Sequence, residues 1–504
     1  MDDHTNMTRV FETADPPIAV VDVFAGALAD RPDHEALVTR STRLTYAELD
    51  DACARAAGAL RDLGVSAGDR VAASLPNEAE IVLAFHGAMR LGAVWVGINQ
   101  ALAPPEKQFL LEDAGAALLL SDDEAEFGGR RVGADELRAA IDGASPVRDL
   151  RPVDPDIPAA LAYTSGTTGR PKGAIHSQRN LLLPGRVLVE TRGWDHTLRK
   201  GDCLPLTIVN MIVLTTLLAA QAQGTCVVMD QLFAEGVADW IERERVTVWN
   251  GPPALLHSLV TSDEVRPEAL ASLDEVWSGG SDLPEALRER FAATFDKPLI
   301  GTYGLSEAPT VVSIDPPGGD HVERASGRVL PHLDVVLTDE VDGLGELCLA
   351  PASDGPYAGE YRPLLGYWKR VDATTEVLAG GVVHTGDIGF VDDDGWLHVR
   401  DRKNLVIVRG GANVYPAEVE RVLHAIDGVA GAVVSGIPDE RLGERVVAAV
   451  EADAGATLDP EVLLARCREE LAKYKVPERL EVVDTLPRNA MGKVDRTAVA
   501  SLLS

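Results

Sequence analysis

The residues with the clearest chemical potential lie in one short segment, residues 163–174, which reads YTSGTTGRPKGA. Its glycines allow a tight turn and let backbone N–H groups approach a ligand closely. Its hydroxyls and Lys172 can donate hydrogen bonds to anionic oxygens. The segment therefore predicts a polyphosphate-binding loop, with an exposed Gly/Ser linker as the alternative. It differs from the common P-loop, because Pro171 and Gly173 flank the lysine where that motif has glycine and Ser or Thr.

The composition narrows the class of protein. A chain of 504 residues with 46% hydrophobic residues predicts two or three globular domains. The formal charge of −32 argues against a nucleic-acid or anionic-membrane partner, which such a surface would repel. Against this background the cations Arg170 and Lys172 stand out. The five cysteines are scattered without a CxxC pair, which suggests neither a zinc site nor a disulfide framework and favours reduced thiols in a cytoplasmic protein.

The start of the chain is acidic and has no apolar core, so we expect no signal peptide. One apolar stretch, residues 204–220, barely reaches the length of a membrane span and contains Pro205 and Asn210. We therefore expect a buried helix there and no membrane span.

Short apolar runs alternate with amphipathic stretches over much of the chain. Residues 225–230, 246–250, 275–280 and 298–304 have the pattern of strands, and 234–245 and 284–295 that of helices. This alternation predicts parallel βαβ units, in which ligands bind at the carboxyl ends of the strands. Beyond about residue 335 the pattern becomes antiparallel β with an Asp394-Gly395 turn. A polar run at 400–404 precedes a helix that starts at Pro416, so we place a domain boundary near residue 403.

Five segments, in order, resemble the signatures of the adenylate-forming superfamily, and in particular its AMP-forming acyl-CoA synthetases. They are YTSGTTGRPKGA (163–174), GTYGLSEAP (301–309), HTGDIG (384–389), DRKNLVIVRGGANVYPAEVE (401–420) and PRNAMGKVDR (487–496). The resemblance covers essentially the whole chain. It implies an α/β fold with a large N-terminal domain (1–403) of parallel-rich βα sheets and a β-barrel-like subdomain from about residue 320. A small, mobile α+β C-terminal domain (404–504) completes it.

The same resemblance implies a reaction in which ATP joins a carboxylic acid to AMP and the thiol of CoA then displaces the AMP. Charge must be neutralised as pyrophosphate leaves, and this is the task of cations and Mg²⁺. By resemblance, the phosphate-binding residues are Thr164, Ser165, Thr167, Thr168 and Lys172, and Glu307 holds Mg²⁺. The remaining nucleotide-binding residues are Gly280, Ser281, Thr302, Tyr303, Gly304, Ser306, Asp387 and Arg402. Tyr303 would stack on adenine, and Asp387 would bind the ribose. Taken singly, Tyr303 could be a core aromatic, Asp387 a turn residue and Arg402 a solvated charge.

Lys493 carries the most specific expectation. In this family the corresponding lysine lies on the mobile domain and bridges the substrate carboxylate and the α-phosphate during adenylation. The resemblance makes Asn404 the hinge and Gly410-Gly411 the lining of the CoA tunnel. The alternatives are that Lys493 is an ordinary surface lysine and that Gly410-Gly411 is an ordinary strand-end turn. Relatives often have charged residues at and after the hinge, where this chain has Asn404 and Leu405.

The acyl pocket is expected at Thr207, Ile208, Val209, Met211, Trp249 and Asn250. Many relatives have an aromatic-His pair where this chain has Thr207 and Ile208. Residues 207–211 contain no aspartate to pair an ammonium group, so an apolar carboxylic acid is favoured over an amino acid. The departure is either ordinary variation or the mark of an enzyme that forms thioesters only from a ready-made acyl-adenylate. A non-catalytic binding protein and a luciferase-like oxygenase are the further alternatives.

Overall fold

The computed structural model of the chain describes residues 18–123, 127–148, 154–164, 171–280, 283–341, 343–409, 412–439, 441–488 and 494–503. Several residues with predicted roles lie outside these ranges: Ser165, Thr167, Thr168, Arg170, Ser281, Gly410, Gly411 and Lys493.

Within the described ranges the strands, in chain order, are β1 (Glu35–Val38), β2 (Arg43–Thr45), β3 (Arg70–Ser74), β4 (Val94–Gly97), β5 (Leu118–Ser121), β6 (Arg130–Val132), β7 (Pro158–Thr164), β8 (Lys172–Ser177), β9 (Arg199–Asp202), β10 (Thr225–Val228), β11 (Val248–Asn250), β12 (Glu275–Gly279), β13 (Leu299–Leu305), β14 (Thr310–Ile314), β15 (Arg328–Val329), β16 (Leu333–Val341), β17 (Leu344–Pro351), β18 (Gly366–Tyr367), β19 (Val383–Val391), β20 (Leu397–Arg402), β21 (Ile407–Arg409), β22 (Ala412–Val414), β23 (Val429–Asp439), β24 (Gly443–Ala452) and β25 (Arg479–Val483).

The helices of the same ranges are α1 (Ala25–Asp30), α2 (Tyr46–Asp62), α3 (Ala79–Leu91), α4 (Pro104–Ala114), α5 (Ala134–Gly143), α6 (Gln178–Arg192), α7 (Val209–Ile212), α8 (Leu218–Gln221), α9 (Ala234–Glu244), α10 (Pro253–Thr261), α11 (Glu285–Phe295), α12 (Val371–Val377), α13 (Pro416–His424), α14 (Pro460–Glu470) and α15 (Arg496–Leu503). Local chemistry fixes several of their starts. Thr45 and Glu48, for example, form a reciprocal capping box at the start of α2.

Two large sheets form the N-terminal part. The first has nine described strands in the order β15-β14-β13-β12-β11-β9-β10-β1-β2, with β13 to β1 running parallel. The second has seven in the order β18-β8-β7-β4-β3-β5-β6, and its parallel part runs from β7 to β6. The alternation of strands and helices at 225–304 therefore predicted the parallel βαβ units correctly.

Two smaller sheets follow. Strands β16-β17-β19-β20 form an antiparallel four-stranded sheet, the β-rich subdomain, and Gly395 (φ 82°) turns the chain between β19 and β20. The last sheet has the order β22-β21-β24-β23, with β25 parallel to β24. It packs against α13 and α14 around its own apolar core, which includes Val419, Val434 and Leu463. The boundary proposed at residue 403 lies between β20 and β21.

The apolar segment 204–220 is largely buried but is helical only in part. Helix α7 begins at Val209, a π-helical turn spans Val213–Leu217, and α8 completes the segment. The preceding residues are held by Asn77, whose amide donates to the carbonyls of Leu204 (3.0 Å) and Met229 (3.1 Å) and accepts from the Leu206 N–H (2.9 Å). Among the helices of the described ranges, none is both long and apolar enough to cross a membrane.

Candidate active site

The two ends of the predicted phosphate loop are joined by a β-hairpin. Thr164 and Lys172 are paired across the antiparallel strands β7 and β8, and the Thr164 hydroxyl lies 3.5 Å from the Lys172 carbonyl oxygen. The hairpin thus brings the two ends of the loop together, with Lys172 at one of these ends. The interior of the loop lies outside the described residues.

Tyr367 connects Lys172 to Glu307. The short strand β18 pairs with β8, which places Tyr367 opposite Ala174. The Lys172 ammonium nitrogen lies 5.4 Å from the centre of the Tyr367 ring, within the range of a cation–π contact. The Tyr367 hydroxyl donates to Glu307 Oε1 at 2.6 Å. Burial and the Glu307 charge raise the pKa of Tyr367, which keeps the phenol protonated as a donor.

Glu307 fits the expected magnesium role by its chemistry. Magnesium takes oxygen ligands, and it usually binds one or two carboxylates together with substrate phosphates and water. Glu307 supplies such a carboxylate, and Tyr367 fixes its orientation through Oε1. Within the described part of the chain, Glu307 belongs to no group of three metal-ligating side chains.

A second cluster lies where β13, β19 and the end of β20 meet. The Tyr303 hydroxyl donates to Asp387 Oδ2 at 2.5 Å, and Arg402 Nε lies 2.7 Å from Asp387 Oδ1. Asp387 is 2% exposed, and its burial raises its pKa while Arg402 lowers it. Arg402 stands opposite Asp387 in the antiparallel register of β19 and β20. The cluster therefore presents an aromatic ring beside a carboxylate with a cationic neighbour.

The backbone around Tyr303 and Glu307 is tightly packed. The Thr302 hydroxyl donates to the Ser278 carbonyl (3.2 Å), and the Ser306 carbonyl accepts from His176 Nε2 (2.6 Å). At Gly304 a Cβ atom would lie 1.8 Å from the Thr310 carbonyl oxygen, so a side chain is excluded. Gly280 has φ +81°, a conformation that favours glycine.

The residues predicted for the acyl pocket occupy two environments. Thr207, Val209 and Met211 are buried, Ile208 is half-buried, and the Thr207 hydroxyl has no hydrogen-bond partner among the described residues. Asn250 is half-buried and its Nδ2 lies 3.9 Å from Met211 Sδ, which joins the end of β11 to the start of α7. Trp249 points into the apolar core between β11 and the helices α9 and α10, beside Leu256 and Trp240. Of the two β11 residues, Asn250 is therefore the better placed to face a ligand.

The predicted hinge lies in a single 3-10 turn, Lys403–Leu405. Lys403 at its start forms ion pairs of 2.9 Å with both Asp339 and Glu346, and these raise its pKa. Asn404 is exposed in the middle of the turn. The turn is thus tied to the β-rich sheet by its first residue.

Four residues of this region were not recognised from the sequence: Tyr367, His176, Asn77 and Lys403. Each acts through a partner far away in the chain, such as Glu307, 60 positions before Tyr367. Only the polar run at 400–404 gave a local signal. It indicated a hinge, but it did not indicate that Lys403 pairs with Asp339 and Glu346.

Comparison with known proteins identifies the class. The AMP-binding enzyme family matches residues 24–353, and the AMP-binding enzyme C-terminal domain matches residues 418–493. The chain therefore belongs to the AMP-binding enzyme family, the adenylate-forming acyl-CoA synthetases. This confirms the predicted class of acid–thiol ligase.

Three relatives illustrate the range of that family. A feruloyl-CoA synthase from an Amycolatopsis species is 37% identical over 471 residues, 90% of this chain and 92% of the relative. A long-chain-fatty-acid–CoA ligase of Mycobacterium tuberculosis is 33% identical over 497 residues, 93% of this chain and 95% of the relative. The structure of O-succinylbenzoate coenzyme A synthetase from Bacillus subtilis with ATP and a magnesium ion has a TM-score of 0.82 and 29% identity, and covers 94% of this chain and 98% of that one.

Proposed function

We propose that the protein activates an apolar carboxylic acid with ATP, forms the acyl-adenylate, and transfers the acyl group to the thiol of CoA. The observation that carries this proposal is that one short segment, residues 303–307, contributes a side chain to each of the two clusters. Tyr303 and Glu307 lie on the same segment, one bonded to Asp387 and the other to Tyr367 beside Lys172. A nucleoside at the first cluster would therefore extend its phosphates toward the second.

The residues have distinct tasks in the first step. Asp387 would accept hydrogen bonds from the ribose hydroxyls. These bonds would either replace the hydrogen bond from Tyr303 or form in addition to it. Lys172 would bind the departing β- and γ-phosphates, where its charge offsets the charge that develops on pyrophosphate. Bound magnesium would add to this neutralisation at Glu307. Lys493 would bring the substrate carboxylate to the α-phosphate.

The acyl group would enter between α7 and the end of β11. The wall contributed by Ile208, Val209 and Met211 is apolar, and Asn250 is its polar edge. The nearest carboxylate along the chain, Asp202, is fully buried and already paired with Lys200 at 2.9 Å. Residues 204–213 include no aspartate or glutamate that could pair an ammonium group, and leaving a buried cation unpaired is costly. This supports an apolar acid over an amino acid.

The second step would follow rotation of the C-terminal domain about Asn404. The ion pairs of Lys403 with Asp339 and Glu346 fix the first residue of the turn, so the rotation would occur beyond it. Gly410 and Gly411 would then line the path of the CoA thiol.

The decisive experiment separates the two half-reactions. With ATP, magnesium and an apolar acid but no CoA, we expect release of pyrophosphate and an enzyme-bound acyl-adenylate. With CoA added, we expect the thioester. Thioester formation from a supplied acyl-adenylate, without pyrophosphate release from any acid, would instead favour an enzyme restricted to the second step. That outcome would agree with the untitratable segment at Thr207 and Ile208. Absence of both activities would leave a binding protein.

A further inference from the structure

Three side chains with metal-binding atoms converge on the β-rich sheet, next to the cluster of Tyr303, Asp387 and Arg402: Glu346 Oε1 accepts a hydrogen bond from the N–H of Gly386 at 3.1 Å, one residue before Asp387. Glu346 and Cys348 lie on β17, and His384 lies on the neighbouring strand β19. His384 Nδ1 is 3.4 Å from Cys348 Sγ and 3.3 Å from Glu346 Oε2. One ligand atom from each residue lies within 4.8 Å of the other two.

The two distances from His384 Nδ1, 3.4 Å to Cys348 Sγ and 3.3 Å to Glu346 Oε2, match the edges of a tetrahedral zinc site. Zinc binds sulfur at about 2.3 Å and nitrogen or carboxylate oxygen at about 2.0 Å, so its ligand atoms stand about 3.3–3.6 Å apart. The three residues could therefore bind one ion with little movement of their side chains.

The imidazole is oriented as a metal ligand. His384 Nε2 lies 3.2 Å from the carbonyl oxygen of Ala379, which can only accept a hydrogen bond. In the neutral ring Nε2 therefore carries the proton, and the lone pair of Nδ1 points at the thiol and the carboxylate. A metal ion bound between Nδ1, the thiolate and Glu346 Oε2 would use that lone pair and offset the charge of the carboxylate. A backbone carbonyl behind the distal nitrogen is the usual support for a metal-bound histidine.

Lys403 supplies the positive charge beside Glu346 that a bound metal ion would replace. Its ammonium group lies 2.9 Å from Glu346 Oε2 and 2.9 Å from Asp339 Oδ2. Asp339 is 75% exposed on the open side of the cluster and can turn toward a metal as a fourth ligand. His384, with its side chain 23% exposed, gives an ion access to the otherwise buried thiol.

We propose that Glu346, Cys348 and His384 form a binding site for zinc, or another borderline-soft divalent ion, in competition with Lys403. Thiolate, imidazole and carboxylate together suit zinc better than magnesium. Because Lys403 begins the hinge turn, metal binding would break the ion pair between Glu346 and that turn. Metal binding would therefore loosen the attachment of the hinge turn to the β-rich sheet. The proposed site does not depend on which acid the enzyme activates.

Cobalt titration of the full-length, chelator-treated protein without ATP tests the site. We expect a thiolate-to-cobalt absorption band in the near ultraviolet that saturates at about one equivalent and is lost on addition of zinc, which binds such sites more tightly. Affinity should rise with pH, because the thiol must lose its proton.

Variants assign the ligands. Cys348→Ser and His384→Gln should each abolish the band, whereas Cys467→Ala, which removes a buried thiol in the C-terminal domain, should retain it. His384→Gln changes a partly exposed side chain, so it remains informative if Cys348→Ser folds poorly. Lys403→Ala should tighten cobalt binding by roughly fivefold or more, since it removes a competing charge. Lys475→Ala, which removes a lysine paired with Glu418, should not. The proposal is overturned if wild type shows no thiolate band, or if the band survives in both ligand variants.

Discussion

Tyr367→Phe removes one hydroxyl from the site and leaves the ring beside Lys172 in place. The lost contact is the 2.6 Å hydrogen bond from the phenol to Glu307 Oε1. A hydrogen bond to a charged group contributes about 1.5–3 kcal/mol. If Glu307 must be oriented for the transition state, kcat/KM of adenylation should fall by about 10- to 150-fold. The magnesium concentration needed for half-maximal rate should rise as well.

The assay is pyrophosphate release at a series of magnesium concentrations, beside thioester formation from a supplied acyl-adenylate. The second reaction involves no pyrophosphate, so we expect it to change little. Tyr361→Phe is the matched control, because the Tyr361 hydroxyl is buried and has no hydrogen-bond partner in the described part of the chain. Equal behaviour of the two variants, or equal slowing of the two half-reactions by Tyr367→Phe, would contradict the role assigned to the Tyr367 hydroxyl.

Three further predictions concern other parts of the chain. Lys493→Ala should abolish adenylate formation and spare thioesterification, and equal loss of both would contradict its assignment. Asn77→Ala should lower the free energy of unfolding by about 3 kcal/mol, because three hydrogen bonds to the 204–229 backbone disappear at about 1 kcal/mol each; in denaturant titrations Gln100→Ala, which removes one bond of 3.4 Å, should cost far less. Burial raises the pKa of Asp401 to about 6 from 3.8, so the folded state holds this proton more tightly and stability should decline as pH rises from about 4 to 6. Asp401→Asn should flatten that part of the stability profile, and an unchanged slope would show that another group causes it.

Much of the fold followed from local pattern. The strands predicted at 225–230, 246–250, 275–280 and 298–304 correspond to β10, β11, β12 and β13, with ends displaced by a few residues at most. Helix α13 begins at Pro416 as predicted, because proline is well suited to the first turn of a helix. Such features depend on neighbours in the sequence, and so the sequence contains their signal.

Other features depend on contacts that no local pattern encodes. Tyr367 reaches the site because the two-residue strand β18 pairs with β8, and two residues are too short to produce a periodic signal. The segment at 204–208 is not helical, since Asn77 binds its backbone instead. The scattered cysteines gave no reason to expect a metal site, yet Cys348 meets its proposed partners through the register of β17 and β19.

We propose that this one protein performs both half-reactions on an apolar acid. A panel of fatty, aryl and amino acids incubated with ATP, magnesium and CoA, and analysed by mass spectrometry for acyl-AMP and acyl-CoA separately, tests it most directly. We predict both products from at least one apolar acid, with acyl-AMP accumulating when CoA is omitted, and neither product from the amino acids. Thioester formation only from supplied acyl-adenylate, or a clear preference for an amino acid, would contradict this proposed function.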